Sequence, residues 1–134
     1  MSANAPSILI LDDDASVRQS LTAYFDDRGW KVFQAPSGEA ALEIVGNEPL
    51  DAAIVDIRLD GMNGDAFMRN AVRMKPDLVF VVCTGSPDYL ISENVKNLSG
   101  LSPRIFTKPV ADMAAMEAEV GRLIRLRSDP GGSR

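Results

Sequence analysis

The chain has 134 residues, 46% of them hydrophobic and 25% charged, with a net charge of −5. That size and composition predict one soluble globular domain that buries a core without disulfides or structural metals. The acidic balance argues against a general nucleic-acid binder, and a chain with no histidine and a single cysteine has no His-based acid–base catalysis, no His-ligated metal, no phosphohistidine of its own and no intrachain disulfide.

Apolar runs alternate with amphipathic stretches five times, without repeats or low-complexity blocks. A strand is predicted over Ser7–Leu11, followed by a helix over Ala15–Arg28 with Val17, Leu21, Tyr24 and Phe25 on one face and Gly29 at its end. Trp30–Gln34 reads as a second strand. Ser37 caps a second helix that runs to Val45 and stops at Gly46-Asn47. The third strand is Ala52–Val55. The third helix is Gly64–Lys75, with Phe67, Ala71 and Met74 inward and Pro76 as its stop. Leu78–Cys83 is a fourth strand containing Cys83 as a small core residue. A fourth helix is expected over Asp88–Leu98, a fifth strand over Arg104–Thr107, and a fifth helix over Asp112–Arg125 with Met116, Val120 and Leu123 inward. Residues 1–6 read as an N-terminal extension, 7–127 as the domain and 128–134 as a loose Gly/Pro/Ser-rich tail. No apolar run is long enough to span a membrane. The segment Met1–Ser7 lacks the features of a secretory signal, so a cytoplasmic location is expected.

Strands that are continuous apolar runs are buried on both faces, which predicts a parallel sheet covered by helices on each side. Right-handed crossovers leave few arrangements, but spacing does not give the strand order. Asp12, Asp13, Asp56, Thr84 and Lys108 each come directly after a strand. In such a sheet they share the carboxyl-end edge, where open α/β sheets bind ligands. Three crowded carboxylates repel one another and favour a divalent cation. Oxygen-only donors point to Mg²⁺, and Zn²⁺ does not suit them. An aspartate can also be the nucleophile of a phosphoryl transfer, which requires positioning and charge neutralisation above all. Lys108 and the Thr84 hydroxyl would take phosphoryl oxygens, and Gly85 leaves room for the incoming group.

The stretches Ile8-Leu9-Ile10-Leu11-Asp12-Asp13-Asp14, Asp51-Ala52-Ala53-Ile54-Val55-Asp56, Val82-Cys83-Thr84-Gly85 and Phe106-Thr107-Lys108-Pro109, in that order, resemble a bacterial two-component response-regulator receiver domain over about residues 7–126. The resemblance implies a flavodoxin-like (βα)5 doubly wound sandwich with a five-stranded parallel sheet of order 2-1-3-4-5. It implies that Asp56 is the phosphoacceptor and that Thr84 and Lys108 contact the phosphoryl group. Asp13 and Asp56 would ligate Mg²⁺ directly and Asp12 mainly through water, with the backbone carbonyl of Arg58 as a further ligand. It also implies a cis Lys108–Pro109 peptide. The implied partners are a sensor histidine kinase or histidine phosphotransfer protein and a downstream protein target, with no direct nucleic-acid or membrane binding and a homodimer left open. On this reading the chain is a switch that catalyses only its own aspartyl phosphorylation and dephosphorylation. It works through protein contacts or as an excised part of a longer protein. The surface expected to respond is the fourth helix, fifth strand and fifth helix.

Two positions depart from the family pattern. Asp60 stands four residues after Asp56, where the family usually has proline. Ile105 stands three residues before Lys108, where it often has an aromatic switch residue, and Phe106 should face the opposite side of its strand. Simpler readings exist beside the functional ones. Asp14 is expected to cap the first helix, a role that Asp12 and Asp13 could share. Arg58 and Ser86 tune phosphate lifetime in the family but also suit a solvated surface. Tyr89, Leu90 and Ile91 fit core packing better than a partner face, and Arg122, Arg125 and Arg127 fit a solvated helix end. Two other functions compete: a haloacid-dehalogenase-type phosphatase with Asp12 as nucleophile, and a receiver-like binding module that works without phosphorylation. The first needs a late acidic pair on a strand and leaves Asp56 unexplained; the second usually lacks some of the residues present here.

Overall fold

The computed structural model describes residues 5–86 and 88–127. In chain order the elements are β1 (Ser7–Leu11), α1 (Ala15–Asp27), β2 (Lys31–Ala35), α2 (Gly38–Asn47), β3 (Ala52–Val55), α3 (Gly64–Met74), β4 (Val79–Thr84), β5 (Leu101–Thr107) and α4 (Met113–Arg127). The five strands form one parallel sheet in the order β2-β1-β3-β4-β5. This is the order implied by the resemblance. Among the described residues, no helix is long and apolar enough to cross a membrane.

Side-chain alternation along the strands divides the core in two. Leu9, Leu11, Ala53, Val55, Phe80 and Val82 meet Val45, Phe67, Met68 and Ala71 of α2 and α3. Ile8, Ile10, Ala52, Ile54, Val79, Val81 and Cys83 meet Leu21, Phe25, Met116, Val120 and Leu123 of α1 and α4. Each strand of the sheet centre therefore needs apolar side chains on both faces, which is why those segments read as unbroken apolar runs.

The helices start where short polar side chains satisfy free backbone N–H groups. Asp14 accepts from Ser16 and Val17, Ser37 from Ala40 and Asn63 from Ala66. Gly29 ends the turn after α1 at a φ of 91°, a conformation that glycine adopts without a Cβ penalty. Glu117 joins α4 to α1 and the chain after it, accepting from the Tyr24 hydroxyl at 3.0 Å, Arg28 Nε at 3.0 Å and Trp30 Nε1 at 2.9 Å.

Five expectations need correction. The helix expected over Asp88–Leu98 is a series of turns, leaving four helices among the described residues. Ile91, Val95 and Leu98 do pack against the core at helical spacing. The intervening Ser92, Asn94, Asn97 and Ser99 favour local turns, however: Asn94 N–H donates to Ser92 Oγ at 3.0 Å, and Val95 and Lys96 close one turn onto the Ser92 carbonyl. Leu90 points outward, 82% exposed, while Tyr89 and Ile91 are partly buried. The fifth strand begins at Leu101, not Arg104, because Pro103 is accommodated in an edge-strand irregularity between the pairs Phe80–Leu101 and Val82–Ile105. Met74 is 48% exposed, lying over Gly46 of α2 instead of in the core. Finally, Arg127 is not a solvated helix end. Its guanidinium donates to the Asp51 and Asp77 carbonyls at 3.1 and 2.8 Å and pairs with the Asp51 carboxylate at 2.5 Å, tying the last turn of α4 to the foot of the sheet. Residues 1–4, Pro87 and the expected tail 128–134 lie outside the described residues.

Candidate functional site

The sheet's hydrogen bonds continue past the ends of three strands and so fix the residues that follow. Asp12 N–H donates to the Ala35 carbonyl at 3.2 Å, Asp56 N–H to Leu11 at 3.0 Å and Lys108 N–H to Thr84 at 2.9 Å. Asp12, Asp56, Thr84 and Lys108 are thereby held at one edge by the backbone. The five residues singled out in the sequence do share the carboxyl end of the sheet.

Four of their side chains, those of Asp12, Asp13, Asp56 and Lys108, converge. Lys108 Nζ lies 2.9 Å from Asp12 Oδ2 and 3.1 Å from Asp56 Oδ2. Asp12, Asp13 and Asp56 each offer a carboxylate oxygen, all within 4.8 Å of one another, and they are the one such acidic group among the described residues. Asp12 and Asp56 are buried while Asp13 is exposed, so the cluster opens to solvent on one side. Burial pushes the Asp56 carboxyl above its ordinary range; the Lys108 ammonium opposes this and the Asp12 charge adds to it. Burial alone would lower the Lys108 value, but its bonds to Asp12 and Asp56 outweigh that and hold it above the ordinary lysine range. The lysine therefore stays an ammonium between two carboxylates at neutral pH. An all-oxygen donor set with excess negative charge fits a hard divalent cation such as Mg²⁺.

The surroundings keep this arrangement in place. Asp14 N–H donates to Asp12 Oδ1 at 2.9 Å and Arg18 Nη1 to the Asp12 carbonyl at 2.7 Å. Asp14 itself caps α1, and its hydrogen bonds from the Val17 backbone and from Ser16 hold its carboxyl below the usual range. Thr84 is buried and its Oγ1 accepts the Ser86 N–H at 3.2 Å. Arg58 N–H reaches Asp56 Oδ1 at 3.3 Å, and its guanidinium bonds Ser86 Oγ at 3.2 Å, so these two residues meet across the cleft. A Cβ at Gly85 would meet nothing within 4 Å, so open space there faces outward from the chain. At Gly64, by contrast, a Cβ would lie 2.6 Å from the Asp56 carbonyl oxygen, a close approach that requires glycine. The Lys108–Pro109 peptide is cis.

Ile105 is half-buried against the core beneath α2 and α3, whereas Phe106 is buried on the opposite face, with the Arg104 guanidinium 4.6 Å from its ring centroid. The alternation expected of the strand holds. Sequence reading missed Arg18, Gly64 and Glu117. Arg18 and Gly64 act on positions distant in their local pattern, and Glu117 has partners 87 to 93 residues away. Of the late acids that a haloacid-dehalogenase-type site would require, three are engaged elsewhere: Asp112 accepts the Ala115 N–H at 2.9 Å, Glu117 is bonded as above, and Glu119 bonds Ser102 and Arg122, while Asp129 lies outside the described residues.

A family model for the response regulator receiver domain matches residues 8–118. The chain is 28% identical over 122 residues to sporulation initiation phosphotransferase F of Bacillus subtilis, covering 91% of this chain and 96% of that protein. It spans only 40% and 53% of two longer relatives that it matches. Its fold superposes with a TM-score of 0.82 on a CheY-like response regulator receiver domain protein from Methanospirillum hungatei, at 25% identity and covering 96% of this chain and all of that one, 100%. A crystal structure of the response regulator TrrA from Thermotoga maritima in complex with Mg²⁺-BeF has a TM-score of 0.75 at 20% identity, covering 88% of this chain and 98% of that one; that likeness speaks to the fold.

Proposed function

The chain belongs to the response regulator receiver family and is a phosphorylation-dependent signalling switch, and on that footing we propose that Asp56 is its phosphoacceptor, with Thr84 and Lys108 holding the phosphoryl group. The observation that carries this is the Lys108 ammonium shared between Asp12 and Asp56 at 2.9 and 3.1 Å, within a cluster of three carboxylates. An Asp56 oxygen attacks the phosphorus of a partner phosphohistidine. The O–P bond forms as the N–P bond breaks, and the electron pair stays on the donor's imidazole. The partner is a sensor histidine kinase or a histidine phosphotransfer protein, since this chain has no histidine.

Asp12, Asp13, Asp56 and the Arg58 carbonyl are the residues that would hold Mg²⁺. When bound, the ion supplies charge neutralisation at the phosphoryl oxygens. Lys108 loses its bond to Asp56 once that oxygen carries phosphorus and turns to a phosphoryl oxygen. The Thr84 hydroxyl, now an acceptor from Ser86, rotates to donate to another. Those new contacts are the differential interactions that bias one state of the surface formed by Asp88–Gly100, β5 and α4. The unit is residues 7–127, acting in the cytoplasm on a downstream protein and confining its chemistry to phosphorylation and dephosphorylation of its own aspartate.

Incubation with Mg²⁺ and acetyl phosphate, followed by mass mapping, tests the assignment. Asp56 is expected to gain the phosphoryl group, and Asp56→Ala to gain none. A label on Asp12, or steady turnover of small phosphate esters, would overturn it in favour of a phosphatase. An absence of label with any phosphodonor would leave a phosphorylation-independent binding module.

A further inference from the structure

We propose that Glu39, in the first turn of α2, is a positioning residue that holds the tip of the β3–α3 loop and thereby the Arg58 carbonyl. This rests on the reading of that carbonyl and the three aspartates as Mg²⁺ ligands. Arg58 lies two residues beyond Asp56, so the direction of its carbonyl depends on the backbone of Ile57–Asn63. The base of this loop is closed: Gly64 N–H donates to the Ile57 carbonyl at 3.1 Å, and Gly64 packs against the Asp56 carbonyl with no room for a Cβ. At the tip, the Leu59 and Met62 side chains pack against the core, and the backbone has one hydrogen-bonded tie. Among the described residues, the only hydrogen bond made by the backbone of Leu59–Met62 runs from Met62 N–H to Glu39 Oε2, at 3.3 Å.

Two glycines allow the loop and α2 to approach this closely. Gly61 has a φ of 74°, and a Cβ there would lie 3.1 Å from Glu39 Oε2. A Cβ on Gly38, next to Glu39, would come 3.0 Å from the Met62 carbonyl oxygen and 3.1 Å from Met62 Cβ. A carboxylate in a first helical turn also suits the helix dipole. That role accounts for its charge but not for its bond to Met62 or for glycine on both sides of the contact. Asp60 occupies the position where the family usually places proline, so no ring stiffens this loop from within; Glu39 stiffens it from outside.

The experiment compares wild type, Glu39→Ala and Glu39→Gln by Mg²⁺ titration in the absence of phosphodonor, with amide hydrogen exchange and thermal midpoints alongside. Glu39→Ala is expected to weaken Mg²⁺ binding about twofold to tenfold, the range of one net hydrogen bond, and to speed exchange of the Met62 amide. Glu39→Gln, whose amide oxygen still accepts, is expected to bind Mg²⁺ as the wild type does. Thermal midpoints should stay together, since position 39 is exposed and alanine suits a helix. Equal loss in both variants would assign the effect to charge at a distance and overturn the proposal, as would unchanged affinity in Glu39→Ala. If the wild type binds no Mg²⁺, or Asp13→Asn binds it equally well, the metal site itself fails and the clamp falls with it. That result is read before any Glu39 variant and is therefore distinct.

Discussion

At the scale of single residues, the site trades stability for chemistry. Asp56 is buried beside Asp12, and burial disfavours its charged form in spite of Lys108. Replacing that carboxylate with a neutral group of the same shape should relieve the strain. Asp56→Asn is expected to stabilise the Mg²⁺-free protein by ~1 kcal/mol while abolishing phosphorylation. Urea unfolding at neutral pH reads the first effect, and a loss of stability would show that the Lys108 pair, not carboxylate crowding, dominates. The candidate site residues were legible in the sequence because each stands at a strand end, where chain position dictates location. Glu39, Gly64 and Arg18 were not. Their roles come from contacts that the loops create: a carboxylate on α2 meets a loop after β3, a glycine meets the Asp56 carbonyl, and a guanidinium folds back on Asp12. Nothing in their local pattern distinguishes them from ordinary surface or turn residues.

At the scale of elements, apolar period and capping chemistry located four helices and five strands to within a few residues, and failed at Asp88–Leu98. There the apolar spacing was helical and the side chains do reach the core, but serine and asparagine turned the backbone another way. Periodicity reports which side chains are buried, and it does not by itself choose among backbones that bury them. The contact between α1 and α4 offers a quantitative test. Glu117 is partly buried, but the bonds from Trp30, Tyr24 and Arg28 hold its carboxyl below the ordinary range. The unfolded chain therefore binds a proton before the native one as pH falls. The stabilisation is full above the ordinary carboxylate value and is lost as pH falls through the depressed folded value. Thermal midpoints of wild type and Glu117→Gln should differ most near neutrality and converge in acid. A difference that stays constant with pH would place the effect in packing alone.

At the scale of the whole molecule, two cores separated by one sheet leave the carboxyl edge as the meeting place of residues far apart in the chain. The switch must carry a change there to a surface that a partner can read. With Ile105 in place of an aromatic ring, the available route runs through Thr84 to Ser86 and the turns that follow, and through β5 beside it. Fluoroberyllate with Mg²⁺ is accordingly expected to shift amide resonances across Asp88–Gly100 and β5 as well as at the edge. Shifts confined to the neighbourhood of Asp56 would sink that relay. The amino-acid sequence alone determined the layered α/β class and which polar side chains stand at the carboxyl edge, because burial on both faces and position at a strand end are written into short stretches of chain. Only the tertiary structure decided the bridging of Asp12 and Asp56 by Lys108, the tie of Arg127 to the foot of the sheet and the tie from Glu39 to the loop. Each of those depends on distances between segments that only the packing of the sheet and its helices brings together.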